Sequence, residues 1–171
     1  MIRLAAHFVA GFLALALLAP IARLVPPPWP VPNVPVLITL YVALGVRGSP
    51  SAGAACAGTL GYVTDLMTGA PKGTHVLALL LLYFIVRGLS SRLFVQGRPA
   101  QMGTAFAATL ASAFVVVAIH MALPPRGAWS TLILAPGEAL MTAVVAPVAF
   151  ALLWRLDRRV ARESAGEGVF R

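Results

Sequence analysis

Charged residues are scarce in this chain, and acidic residues are the scarcest. Only 11% of the 171 residues are charged and just five are Asp or Glu, whereas 60% are hydrophobic. A soluble domain needs far more polar surface, so this composition excludes a large one and is typical of an integral membrane protein. The net charge of +8 does not indicate nucleic-acid binding, because the arginines lie between apolar segments and in the C-terminal tail, where membrane topology explains them.

The sequence also lacks the residue patterns of most enzymes and metal proteins. Its single cysteine, Cys56, lies in an apolar segment, so it cannot form an intramolecular disulfide. His7, His75 and His120 are far apart without metal-ligand spacing, and we predict neither a metal nor a cofactor. There is no phosphate-binding glycine loop, zinc-protease motif or nucleophile elbow. A membrane enzyme such as a lipid hydrolase is therefore the least supported function.

Six apolar segments predict an all-α polytopic membrane protein, in which residues 1–171 form one integral membrane domain. About 20 apolar residues are needed for a helix to cross the bilayer. The second segment is shorter and follows the proline-rich run 25–35, so either this run enters the membrane boundary or the bilayer thins there. We expect the first segment to be a span and not a cleaved signal peptide. The predicted spans are residues 4–22, 34–47, 51–68, 75–93, 101–123 and 135–154, followed by a basic cytoplasmic tail, 155–171.

The distribution of basic residues predicts that both termini are cytoplasmic. With the N-terminus inside, three of the 13 basic residues face outward, namely Arg23, Lys72 and Arg126. The other ten are cytoplasmic, which is the bias that sets membrane orientation. Arg87, Arg92 and Arg98 are most simply part of this signal. Near the last span, Glu138 follows Pro136 and Gly137, a combination typical of the first turn of a helix.

One acid, Asp65, lies between long apolar stretches. It belongs to the run Gly61-x-x-x-Asp65-x-x-x-Gly69-x-x-x-Gly73, which places it about one turn from the outer surface. A carboxylate there costs free energy unless it has a partner or reaches water. The expected partners lie across a tight hairpin: Lys72, Thr74, His75 and the first amides of the next helix. Asp65 then either braces this turn, binds a partner protein, or takes part in a proton or ion relay.

Small residues recur at four-residue spacing on two of the predicted helices. Such stripes let helices pack closely, either within the bundle or against another membrane protein, and both alternatives stay open here. The pattern itself is common and does not identify a function. The first stripe comprises Ala6, Ala10 and Ala14, and the second comprises Gly53, Ala57 and Gly61.

The middle of the chain resembles the MreD family of rod shape-determining membrane proteins. The resemblance extends from about Pro35 to Arg92 and is carried by a proline before a short apolar helix, a helix rich in small residues, and the Gly61–Asp65–Gly69–Gly73 motif. Ala143-x-x-Ala146-Pro147 followed by a basic end also fits. One feature differs, because family proteins often carry an acid just after the proline of the second span, whereas Val36 and Leu37 follow Pro35 here.

The resemblance implies a non-enzymatic subunit of the bacterial cell-wall elongation machinery in the cytoplasmic membrane. Its implied partners are MreC, the RodA-type glycosyltransferase with its class B penicillin-binding protein, and the MreB filament, beside membrane lipids. We expect five residues to form an outer-facing hairpin that either binds a partner or has a structural role. These residues are Gly61, Asp65, Gly69, Lys72 and Gly73.

The same resemblance supplies an alternative function. The family is similar in fold to the substrate-binding subunit of energy-coupling-factor vitamin transporters. Those subunits dock through small-residue stripes on their first helix, a role that Ala6, Ala10 and Ala14 would suit. A transporter subunit would need a cavity with several convergent polar groups. The sequence offers few candidates near the outer side: Asp65, His75, His120, Glu138 and Trp129.

Overall fold

Most of the described residues are helical. The computed structural model describes residues 9, 11–13, 30–45, 49–90, 97–122 and 128–166. None of these residues lies in a β-strand, which confirms the all-α fold class. The five complete helices are α1 (Val34–Gly45), α2 (Pro50–Thr68), α3 (Thr74–Leu89), α4 (Arg98–Ala122) and α5 (Ala128–Gly166).

These helices differ from the predicted spans mainly at their ends. The α3 helix ends at Leu89, four residues before the predicted boundary, where the Ser90 hydroxyl donates to the carbonyl of Arg87. The α5 helix begins at Ala128, so Pro136 and Pro147 lie inside it and Glu138 is not in its first turn. Membrane helices tolerate interior prolines because neighbouring groups can satisfy the freed backbone carbonyls. Most of the first predicted span lies outside the described residues.

The short helix α1 lies at the centre of the bundle. Eight of its residues are buried, from Pro35 to Ala43, and it contacts each of α2, α3, α4 and α5. A helix that is apolar on all sides is typically buried in a protein core or in a membrane, and α1 is enclosed by its neighbours. Its first turn is capped by Asn33, whose side-chain oxygen accepts a hydrogen bond from the amide of Val36 at 3.2 Å.

The segment before α1 accounts for the shortness of that helix. Twelve helical residues extend only about 18 Å, less than the hydrocarbon thickness of a bilayer. Residues 30–33 continue along α5: Pro30 lies against Gly137, and the Asn33 amide donates to the Thr142 hydroxyl at 2.8 Å. These partners belong to the apolar part of α5, so residues 30–33 lie beside an apolar segment.

Helices α2 and α3 form an antiparallel hairpin, and the stripe of small residues on α2 faces α3. A Cβ atom at Gly53 would overlap the Tyr83 ring, and one at Gly61 would lie 2.6 Å from the Cα of Val76. Ala57, between them, is 1% exposed. In this structure, therefore, Gly53, Ala57 and Gly61 pack inside the bundle. Ala6, Ala10 and Ala14 lie outside the described residues.

Helices α4 and α5 form the most extensive helix pair and contain the clearest candidate spans. Two described helices are long and apolar enough to cross a membrane, over Arg98–Met121 and Ile133–Arg159. On α5, small residues face inward, whereas large apolar side chains face outward at Leu140, Val144, Val148 and Leu152. An outward apolar stripe with small residues buried is the arrangement expected for a helix packed in lipid.

Candidate functional site

The Asp65 carboxylate joins the two helices of the α2–α3 hairpin. Its Oδ2 accepts a hydrogen bond from the amide of Gly73 at 2.8 Å, and its Oδ1 accepts one from the amide of His75 at 2.8 Å. The His75 Nδ1 atom also lies 2.8 Å from Oδ1. Asp65 is 2% exposed, so the acid is buried but satisfied by three nitrogen atoms.

The position of this carboxylate complements the electrostatics of α3. The first amides of a helix have no partner within the helix and carry a partial positive charge. Asp65 binds the amide just before α3 and another in its first turn, so it caps α3 from the neighbouring helix. The cap fixes the distance and angle between the two helices at this end of the bundle.

The glycines of the motif have separate structural roles. Gly61 lets the start of α3 approach closely, because a Cβ there would lie 2.6 Å from the Val76 Cα and 2.8 Å from the His75 carbonyl oxygen. Gly69 ends α2 in the left-handed conformation (φ +69°), with its amide donating to the Asp65 carbonyl at 3.0 Å. Gly73 has φ +98°, which a residue with a side chain rarely adopts.

Lys72 does not take the place that the sequence suggested for it. It lies at the tip of the turn and is exposed, while the partners of Asp65 among the described residues are Gly73 and His75. Thr74 is buried, and its hydroxyl donates to the carbonyl of Pro71 instead of to Asp65. The exposed charge of Lys72 is thus available to an external partner, whereas Asp65 is not.

A second acid lies on the inner side of this hairpin. Glu138 of α5 and His75 of α3 line the same small cavity, which has a volume of about 60 Å³. The Glu138 Oε1 atom accepts a hydrogen bond from the side-chain amide of Asn33 at 2.7 Å. A polar region is therefore shared by α2, α3, α5 and the segment that leads into α1, and it contains Asp65, His75, Glu138 and Asn33.

The sequence placed Glu138 near the outer side together with Asp65 and His75, but it did not identify Asn33 as the partner of Glu138. The two acids are 73 positions apart in the sequence, and Glu138 follows a proline and a glycine that are typical of a helix start. Polarity within an otherwise apolar span was the only signal, and it does not specify a partner. The parallel packing of α5 alongside α1 supplies that information, since Asn33 contacts Glu138 near the start of α1 and Tyr41 contacts Phe150 further along both helices.

The hydroxyl groups around this cavity are hydrogen-bonded within their own helices. Thr64 donates to the Leu60 carbonyl, Thr109 to the Ala105 carbonyl, and Ser112 to the Thr109 carbonyl, each within its own helix. A nucleophile would instead be hydrogen-bonded to a base such as His75. No group of three or more metal-ligating side chains occurs in the part of the chain that the structure describes. The region can hold polar contacts, water or a proton, and it braces the bundle.

Comparison with known proteins does not assign the chain to a family. No protein-family model, no curated protein and no solved structure matches it.

Proposed function

We propose that this chain is a non-enzymatic scaffold of the MreD type, with six transmembrane helices in the bacterial cytoplasmic membrane. It binds MreC and supports peptidoglycan synthesis and rod shape, together with the RodA-type glycosyltransferase, its class B penicillin-binding protein and MreB. Both termini are cytoplasmic in this proposal, and the fold is similar to that of the energy-coupling-factor substrate subunits.

The observation that carries the proposal is the construction of the hairpin. The motif that resembles the family consists of Gly61, Asp65, Gly69 and Gly73. Each of these residues has a separate role in forming and fixing this turn. A turn fixed in advance presents its exposed residues to a partner with less ordering cost on binding. The exposed tip around Lys72 is the corresponding surface, on the outer side of the membrane in the proposed orientation.

The engaged hydroxyl groups near His75 support a non-enzymatic role, because none of them is held by a base. The small cavity argues against a vitamin site at the hairpin end of the bundle, where His75 and Glu138 lie. Pockets for small molecules usually measure about 300–1,000 Å³. The cavity beside His75 and Glu138 is about 60 Å³, which suits one or two water molecules better than a vitamin.

Affinity purification in mild detergent, followed by mass spectrometry of proteins and small molecules, tests this proposal. We expect MreC and the RodA-type synthase to be recovered with the wild-type chain. Lys72→Glu should reduce MreC recovery several-fold while the protein level stays normal. Arg159→Glu is the matched control, because it makes the same charge reversal at an exposed residue near the end of α5.

Asp65→Ala tests whether the shape of the hairpin is needed. We expect this variant to insert into the membrane but to lose most MreC and to give rounded cells. Normal MreC recovery and normal rods with both Asp65→Ala and Lys72→Glu would refute the binding role of the hairpin. Recovery of an ATPase module or of a stoichiometric metabolite would support the transporter alternative instead.

A further inference from the structure

A large open cavity lies at the opposite end of the bundle from the Asp65 hairpin. It has a volume of about 960 Å³ and is lined by the end of α1, the beginning of α4 and the part of α5 that follows Pro147. This volume is within the range of sites that bind small molecules or lipid headgroups. The candidate site described above shares none of these lining residues.

The polar lining of this cavity is basic. Arg98 and Gln101 of α4 and Arg155 of α5 contribute donors, and no Asp or Glu is among the lining residues. Both arginines are exposed, and within the described ranges neither forms an ion pair. Guanidinium groups hydrogen-bond phosphate oxygens in a two-pronged geometry, so the lining suits a phosphate ligand better than a cation or a neutral molecule.

The arginines also lie at one level relative to the membrane. Arg98 begins one apolar span, Arg98–Met121, while Arg155 is close to the end of the other, Ile133–Arg159. The two helices run in opposite directions, so both guanidinium groups are at the same bilayer surface. Beside them, the Trp154 ring is exposed and stacks with Arg158 at 3.9 Å, as aromatic side chains often do near lipid headgroups.

The deeper part of the wall that α5 contributes is apolar and extends toward the bilayer centre. Pro147, Val148 and Ala151 line it on α5, and Pro147 is eight residues before Arg155, or about 12 Å deeper along the helix. Val148 is 62% exposed. A ligand that fits both parts of the wall has a negative phosphate at one end and a hydrocarbon chain at the other.

We propose that this cavity binds an anionic phospholipid of the cytoplasmic leaflet, with its phosphate at Arg98 and Arg155 and an acyl chain along Pro147–Ala151. The proposal rests on the transmembrane orientation proposed above but not on any partner protein. The lipid is then part of the bundle at its cytoplasmic end, where it joins α4 to α5.

Native mass spectrometry of the purified full-length chain in a neutral detergent tests the proposal. The probes are phosphatidylglycerol, phosphatidylcholine with the same acyl chains, and inorganic phosphate. We expect phosphatidylglycerol to bind in a 1:1 complex at least fivefold more tightly than phosphatidylcholine. Inorganic phosphate should not compete at millimolar concentration. Arg98→Gln and Arg155→Gln should each weaken phosphatidylglycerol binding about fivefold, and Arg159→Gln, the control on the same helix, by less than twofold.

A second pair of variants changes the shape of the cavity and leaves its charge unaltered. Ala151→Phe should fill the wall and weaken phosphatidylglycerol binding at least fivefold, whereas Val144→Phe, on the outward face of the same helix, should leave it unchanged. Equal affinity for both lipids, competition by inorganic phosphate, or wild-type binding in Arg98→Gln, Arg155→Gln and Ala151→Phe would overturn the proposal. Because the purified chain is tested alone, each of these results is independent of whether MreC binds.

Discussion

Asp65 shows how an acid can be accommodated in a helix that lies among apolar segments. Moving a carboxylate out of water is costly, and the cost is offset only if hydrogen bonds replace the lost hydration. Here two backbone amides and an imidazole surround the carboxylate at 2.8 Å. The amides belong to the start of α3 and would themselves be unsatisfied without an acceptor. The carboxylate and the amides therefore satisfy each other's hydrogen-bonding groups in the buried site.

Replacing Asp65 should destabilise the chain in a graded manner. We expect Asp65→Ala to lower the free energy of unfolding by about 3 kcal/mol, since it removes charge-assisted hydrogen bonds and leaves buried amides unpaired. Asp65→Asn should cost about half as much, because one carbonyl oxygen still accepts a hydrogen bond. The unfolding midpoint in detergent measures this order. Lys72→Ala on the same hairpin is the control and should not change it; equal midpoints for all three variants would show that the carboxylate does not brace the turn.

The residue scale is also where prediction from the sequence was most and least successful. His75 and the first amides of the next helix were expected near Asp65, because a tight turn leaves few other groups within reach. Lys72 was expected there too, but its side chain is exposed at the turn tip. The contact between Glu138 and Asn33 was not predicted, since hydropathy patterns give the length of a span and not which face of it meets the rest of the bundle.

At the scale of elements, the close approach of α2 and α3 depends on one particular glycine. The Gly61 Cα faces the backbone of Val76, which cannot move without moving α3. Gly58, on the same helix, faces the Leu80 side chain, and a Cβ there would lie at an ordinary contact distance of 3.7 Å. Substitutions at the two glycines can therefore separate the effect of close helix packing from the effect of glycine on helix stability.

Gly61→Ala should destabilise the chain by about 2 kcal/mol, because the added methyl group forces the helices apart. Gly58→Ala should be neutral or should stabilise by up to about 1 kcal/mol, since alanine is the better helix former. Thermal unfolding of both variants in the same detergent checks this difference. If both substitutions have the same effect, the close packing at Gly61 is not what holds the hairpin together.

The contact between the segment before α1 and α5 links elements that are distant in the sequence. Asn33 caps α1 through its side-chain oxygen and donates to Glu138 through its side-chain amide. A double-mutant cycle with Asn33→Ala and Glu138→Ala isolates the second contact, and we expect a coupling energy of about 1 kcal/mol. The pair Asn33→Ala and Arg159→Gln, which are far apart, should be additive. Additivity in the first cycle as well would mean that the contact contributes no stability.

At the scale of the whole molecule, burial explains why the all-α class was easier to predict than the arrangement of the helices. Long apolar runs predict helices, and the all-α class follows from them. The central position of α1 could not be predicted in the same way, because its mean hydropathy resembles that of a lipid-facing helix. Enclosure on all sides became evident only from its contacts with α2, α3, α4 and α5.

The proposed orientation places the Asp65 hairpin outside the cell and the basic cavity inside it. The charge distribution supports this, since moving an arginine-rich end across the membrane is unfavourable during insertion. Single cysteines at Lys72→Cys and Arg159→Cys, in a Cys56→Ala background, test it with a membrane-impermeant maleimide on intact spheroplasts. We expect labelling at position 72 in intact spheroplasts, and labelling at position 159 only after the membrane is opened. The reverse pattern would put the hairpin in the cytoplasm, where it could not meet an outer-face partner, and would move the proposed lipid to the other leaflet.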